Sequence, residues 1–361
     1  ICLPDEVNLF RGGGPPRTPP PAADAALPLY VQQPGARIGK KGEVLTVTVD
    51  DQPEIRVGLG DISELILAGP VNLSTPALHA LVRAEIPIAW MSSGFWYLAS
   101  TGGRGPRSAT AREAQYALRG DAVRRLRFAR ELVRAKLRNQ RTLLRRNWRG
   151  EATVRDAAAA ALKRLADRAP AAAGLPELLG VEGEGAALYF RAFPSLFTEK
   201  TAALPAFAFE RRSRRPPADP VNACLSLAYA LLTRVCANAL EIAGLDPWAG
   251  VYHADRPGRP ALALDFMEPL RPVLADSAVL TALNQGELTP DDFVTVGPGC
   301  NLNFSGRKTL IRVFERRLET EAAHPLFGYQ ISMRRMLHVQ ARLLVRHLAG
   351  ELDVYPHYCP R

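Results

Sequence analysis

The sequence predicts an α+β protein in which strands come first and helices follow. Two observations carry that reading. From Leu29 to about Ser100, apolar residues alternate in short runs separated by turn residues, the period of half-buried strands. Beyond the Gly-rich connector TGGRGPRS they recur every three or four positions, the period of amphipathic helices. The 361 residues are 47% hydrophobic, enough for more than one domain with its own core. The expected division is a tail and linker over 1–27, a small mostly-β domain over 28–103 and a larger helical domain over 104–361.

The linker follows from Gly12 to Gly14 and the prolines at 15, 16, 19, 20 and 21, which build neither a helix nor a central strand and suit a semi-extended spacer. The first strand is LPLYVQQ. In VLTVTV, Leu45, Val47 and Val49 share a face, and after the turn DDQP the same holds for Ile55, Val57 and Leu59 of EIRVGL. ISELILAG is a further strand. STPALHALVRAE switches to helical spacing, with Ser74 or Thr75 as N-cap and Pro76 at the first helical position. IPIAWM and FWYLAS close the domain around Ser92-Ser93-Gly94.

The helical part opens on its strongest charge signal. Arg119 to Arg149 holds twelve Lys/Arg against Asp121 and Glu131, so this stretch alone carries the net charge of +10. Val123, Leu126, Ala129, Val133, Leu137 and Leu144 give one amphipathic helix with an arginine-rich outer face, nearly without acids to pair it. A second cluster, Arg211, Arg212, Arg214 and Arg215, lies in a loop. Two basic elements without a base-reading signature suit a phosphate backbone, and the overall charge points to nucleic acid or an anionic membrane.

Next come the Ala-rich helix EATVRDAAAAALKRLADRA, a break at AAAGLPELLG, and VEGEGAALYF, where Glu182 and Glu184 sit among small residues. RRSRRPPADPVNACLSLAYALLTRVCANALEIAGLDP holds a central helix capped by Asp219, opened by Pro220 and closed at Gly244. Later segments read as DSAVLTALNQGEL, a loop at Gly297-Pro298-Gly299, helices near 308–322 and 326–350, and the tail YPHYCPR. The five cysteines show no CxxC spacing, against a zinc ribbon, and Cys224 and Cys236 read as plain core residues. No apolar run looks long enough to span a bilayer and no signal-peptide core opens the chain, so a cytoplasmic protein is expected.

Gly250 to Pro272 concentrates the chemistry. His253 precedes an apolar run that ends in Asp265 and Glu268, three apart and thus on one helix face. An imidazole and two carboxylates are costly to bury unpaired. A divalent ion would offset that cost, and nitrogen and oxygen ligands suit magnesium or manganese better than structural zinc. A core-facing histidine beside a solvated helix start satisfies the same residues.

GVEGEGAALYF, RRPPADPVNACLSLAYALL and GLDPWAGVYH followed by LALDFMEPLRP, in this order, resemble the CRISPR-associated protein one family, the spacer-acquisition integrases. IPIAWMSSGFWYL and AKLRNQRTLL extend the resemblance over roughly residues 29 to 352. It implies an N-terminal β-sandwich joined to an all-α catalytic domain, working as a homodimer bridged by CRISPR-associated protein two. It also implies a Mg2+ or Mn2+ site on Glu182, His253 and Glu268, with Asp265 supporting or sharing it, and places Glu184 on the surface. The implied activity is a metal-dependent DNA integrase and endonuclease. It would join prespacer 3′-hydroxyls to the CRISPR repeat, with Arg127, Arg134, Arg138, Arg145, Arg214 and Arg215 holding double-stranded DNA. A nuclease without integration and an idle DNA-binding scaffold are the alternatives. The chain opens on Ile1 rather than Met, and its CLPDE resembles the end of CRISPR-associated protein four, an iron–sulfur nuclease. The expectation is the C-terminal part of a fusion, with Cys2 the last ligand of a 4Fe–4S cluster in the upstream domain.

Overall fold

The structure is a computed structural model and describes residues 26–101, 109–214 and 216–360. The linker, the connector at 102–108, Cys2 and Arg215 lie outside the described residues. The described chain forms two compact units. One holds 26–101 with Glu241–Gly244, and the other holds the rest of the chain from Ala109 onward.

The first unit contains strands β1 (Leu27–Val31), β2 (Arg37–Lys41), β3 (Val44–Thr48), β4 (Ile55–Gly58), β5 (Ile62–Ala68), β6 (Asn72–Leu73), β7 (Ile88–Met91) and β8 (Tyr97–Thr101), with helix α1 (Thr75–Arg83) between β6 and β7. They make two four-stranded sheets, β1-β5-β7-β8 and β4-β3-β2-β6. Residues from both sheets and from α1 share one core, including Ile38, Leu45, Leu65, Leu81 and Ile88. Each such side chain contributes about 1.5–3 kcal/mol when fully buried. Ser74 is the N-cap of α1, its side chain accepting from the Ala77 amide. Strand β2 was not expected, because RIGKK is too polar to alternate visibly. Only Ile38 of it is buried, and Gly42 at φ +60° turns it into β3.

The second unit is mainly helical: α2 (Thr110–Gly120), α3 (Ala122–Asn147), α4 (Ala152–Arg168), α5 (Leu175–Ala192), the single turn α6 (Glu199–Ala202), α7 (Pro220–Ile242), α8 (Ala261–Met267), α9 (Ser277–Asn284), α10 (Phe304–Glu319) and α11 (Met333–Leu348). A π turn at Pro272–Asp276 leads into α9. The unit also carries two two-stranded ribbons, Phe293–Val296 with Gly299–Leu302 and Glu321–Ala323 with Gln330–Ser332. The first is the segment expected as a loop, with Gly297 at φ +58° in its turn.

Several elements differ from expectation for local reasons. The basic helix starts at Asp121, whose carboxylate accepts from the amides of Val123 and Arg124 and breaks it from α2. Val123 accordingly lies outside the buried stripe and is 80% exposed. LPELLG does not break a helix but opens α5, with Pro176 in its first turn. YPHYCPR is not a loose tail: Val354 to Cys359 are buried. Asn139 of α3 ties the segment down by donating to the carbonyls of Tyr358 and Pro269, at 2.8 and 2.6 Å. Finally, α7 has 23 residues and a mean hydropathy of 1.5, long and apolar enough to cross a membrane, contrary to the expectation. Its apolar window is 78% buried inside the protein, as in a core helix.

Candidate active site

The site assembles from α3, α5, the loop after α7, and α8. Gly185 permits the closest of these approaches: a Cβ there would lie 2.2 Å from Leu137 Cδ2. With α5 that close to α3, Glu182, one turn before Gly185, meets Lys136, the neighbour of Leu137. Gly250 does the same for the loop, since a Cβ would stand 2.5 Å from that of Ala261 in α8 and 2.9 Å from the His253 carbonyl. Two arginines of the basic helical stretch fasten this loop, Arg119 donating to the Gly250 carbonyl at 2.9 Å and Arg125 to that of Val251.

Asp265 is fully buried, and both its oxygens are used. Oδ2 accepts from the amides of Val251 and Tyr252 at 2.6 and 2.9 Å. Oδ1 accepts from the His253 amide at 2.8 Å and from His253 Nδ1 at 2.7 Å. A carboxylate only accepts, so Nδ1 carries a proton, and in the neutral tautomer Nε2 is the nitrogen with the lone pair. Nε2 lies 3.8 Å from Glu268 Oε1. Asp265 therefore shapes the loop and fixes the imidazole, the arrangement that orients a ligating histidine.

Glu182 and Glu268 share one ammonium. Lys136, itself buried, contacts Glu182 Oε1, and its Nζ is 2.7 Å from Glu268 Oε2. Tyr252 donates to Glu182 Oε2 at 2.7 Å. Arg271 contacts Glu268 Oε1, and its guanidinium lies 4.7 Å from the centre of the Tyr229 ring. The Tyr229 and Tyr189 hydroxyls both donate to buried Asp276, each at 2.7 Å. Burial pushes both glutamate carboxyls upward, but the cations win: Arg271 and then Lys136 hold Glu268 well below the usual range, and Lys136 holds Glu182 below it. Burial, then Glu182, pushes the Tyr252 phenol far above its ordinary value, so it stays a donor.

Glu182, His253, Asp265 and Glu268 thus come together although Glu182 lies far from the others in sequence, whereas Glu184 is exposed and only loosely paired with Arg168 at 3.5 Å. Among the described residues no three His, Cys, Asp or Glu side chains stand close enough together, as placed, to hold a metal ion. The point the two glutamates share is filled by Lys136. The donor set nonetheless fits a hard divalent ion: two carboxylates held ionised, and one imidazole nitrogen with its tautomer fixed. Lys136, Tyr252 and Arg271 were missed. Lys136 was counted among the charges of an outer helix face.

The basic residues divide. Arg127, Arg145 and Arg214 are exposed. Arg134 is half-buried beside Glu131 at 3.5 Å, and Arg138 is half-buried, with burial lowering its pKa. Arg212 turns inward, donating to the Asn222 side chain at 2.7 Å and to Ser226 Oγ at 3.1 Å.

Fold and site together define a class of protein: a strand-rich unit, a helical unit, and a carboxylate–imidazole centre beside a basic helix. The chain belongs to the CRISPR associated protein Cas1 family, whose model matches residues 29–316. It is 63% identical, over its whole length, to a CRISPR-associated exonuclease Cas4/endonuclease Cas1 fusion of Rhodospirillum rubrum, and 47% identical to one of Geobacter sulfurreducens. It spans 62% and 65% of those two relatives, under two thirds of their length. A CRISPR-associated endonuclease Cas1 of Thermus thermophilus is 37% identical over 92% of the chain and 97% of its own length. In fold, the chain resembles a casposase bound to integration product, with TM-score 0.78, 20% identity and coverage of 92% and 94% of the two chains. A Cas1 protein of Thermotoga maritima gives TM-score 0.76, 24% identity and coverage of 92% and 99%.

Proposed function

We propose that this chain is the catalytic part of a metal-dependent DNA integrase and endonuclease of CRISPR adaptation, which joins prespacer 3′-hydroxyls to the edge of a CRISPR repeat by transesterification. The observation that carries this reading is the convergence of Glu182, His253 Nε2 and Glu268 beside the anchoring Asp265. Family membership, and a structural neighbour described as bound to an integration product, support it.

Glu182, His253 and Glu268 would hold Mg2+ or Mn2+. Bound there, the ion would polarise the phosphate and ease deprotonation of the attacking hydroxyl. Asp265 holds the ring by Nδ1 and leaves Nε2 as the nitrogen aimed at the site. Arg271 offsets the charge of Glu268 from the side away from Lys136. Tyr252 holds Glu182 by one oxygen and leaves the other to face a cation. Arg127, Arg145 and Arg214 offer solvent-facing charge for a DNA backbone, with Arg134 and Arg138 nearer the protein interior. Arg215 is proposed as a further DNA contact.

The proposed partners are prespacer and repeat duplex, a second copy of the chain, CRISPR-associated protein two, and a CRISPR-associated protein four nuclease fused or bound to it. The 4Fe–4S cluster would belong to that nuclease, with Cys2 as one ligand, and the cytoplasm is the proposed location. The relatives described as Cas4/Cas1 fusions support the nuclease partner.

The test is a supercoiled plasmid carrying a CRISPR repeat, incubated with prespacer duplex and Mn2+. Prespacer strands covalently joined at the repeat are expected, and lost in His253→Ala and Glu268→Ala. Cleavage without joining would leave a nuclease alone.

A further inference from the structure

We propose that Lys136 is an internal counter-ion that holds Glu182 and Glu268 together without metal and must withdraw when a divalent cation enters. The inference rests on the metal-site reading above and adds a residue that competes with the metal for the same carboxylates. Lys136 is 4% exposed, and its ammonium is the only cation shared by Glu182 and Glu268 among the described residues. Those two carboxylates, one from α5 and one from the C-cap of α8, would repel each other if left unpaired in the interior. Their outer oxygens are already satisfied by Tyr252 and Arg271, so only the inner pair faces the lysine.

Lys136 Nζ lies 2.7 Å from buried Glu268 Oε2, which has no other partner among the described residues. A dication arriving between the carboxylates could not tolerate an ammonium at contact distance. Lysine is suited to leave: it is a point charge on a flexible four-carbon stem, with no planar fork to hold it in place. Once displaced, its three donors are available to an incoming phosphate. Arg271, stacked on Tyr229, is built to stay.

Two measurements test this without reference to catalysis. Mn2+ affinity is measured from the free-ion paramagnetic resonance signal, for the unaltered protein, Lys136→Met and Lys136→Arg. Removing the competing charge should tighten Mn2+ binding about tenfold in K136M, by analogy with the coupling of close charge pairs. K136R, which keeps the charge, should not gain. Equal or weaker binding by K136M overturns the proposal. Should K136M fail to fold, the unaltered protein suffices: an amine-reactive label read by peptide mass spectrometry should spare Lys136 without metal and modify it in saturating Mg2+. Protection in both conditions also overturns it. An unaltered protein that binds neither ion in either measurement refutes the metal site itself, a different failure from binding that Lys136 does not influence.

Discussion

Asp265 is the residue on which most of the site depends. It stabilises three successive amides of the loop and the imidazole at once. Asp265→Asn keeps the shape but offers an amide where Oδ1 or Oδ2 accepted. Mn2+ affinity by calorimetric titration is expected to fall 10- to 100-fold, the usual range for a group that orients a ligand. Asp265→Ala should add a stability loss of roughly 1–3 kcal/mol for each buried amide left without an acceptor, read from urea melts. His253, Asp265 and Glu268 were legible because they crowd one short stretch. Glu182 was found only through its resemblance to a family motif, since a glutamate among glycines carries no signal of its own. Lys136 stayed hidden because its charge was averaged into that of its neighbours, and only packing shows that it points inward.

At the scale of elements, the C-terminal segment behaves as part of the catalytic unit. Asn139 joins it to Pro269, the residue after Glu268, through two carbonyls. Asn139→Ala should cost about 1–3 kcal/mol and increase amide exchange in residues 354–359. His357 in that segment is 6% exposed beside Tyr355 and Phe128, and burial, then His347, lowers its pKa to about 3. Its folded pKa lies below the unfolded value near 6.5, so its contribution to stability is full above pH 6.5 and is lost as pH falls toward 3. Melting temperature should drop on acidification through that window, and His357→Phe should flatten the drop by something of order 2 kcal/mol between pH 6.5 and 4.5. The sequence showed YPHYCPR as a tail because a short run of prolines, tyrosines and histidine has no period. Its burial depends on a partner 219 residues away from Tyr358. The helices α1 and α7, by contrast, were legible from caps and prolines at their ends.

At the scale of the molecule, the +10 net charge is a count that the structure apportions. Arg119, Arg125 and Arg130 donate to carbonyls of Gly250, Val251 and Ala172 and serve the fold. Arg127 and Arg145 face solvent. Reversing both to Glu should weaken binding to any duplex and reduce the slope of log affinity against log salt by about 2–4, near 0.9 for each backbone charge lost or opposed. Melting should hardly change, and a variant that keeps its slope would remove these two from the DNA surface. The division into strands and helices was legible because periods 2 and 3.6 differ over many residues. The parallel pairing of β1, β5 and β7 was not, because register depends on partners far apart in the chain.

The central claim is that Glu182, His253 and Glu268 take one divalent ion at a point where Lys136 now sits. Anomalous diffraction from crystals soaked in Mn2+ addresses it directly. The expected result is a manganese peak with the two carboxylates and His253 Nε2 at roughly 2.0–2.6 Å and Asp265 still on Nδ1. A well-ordered site with no peak under saturating Mn2+, or a peak that excludes His253, would contradict the account.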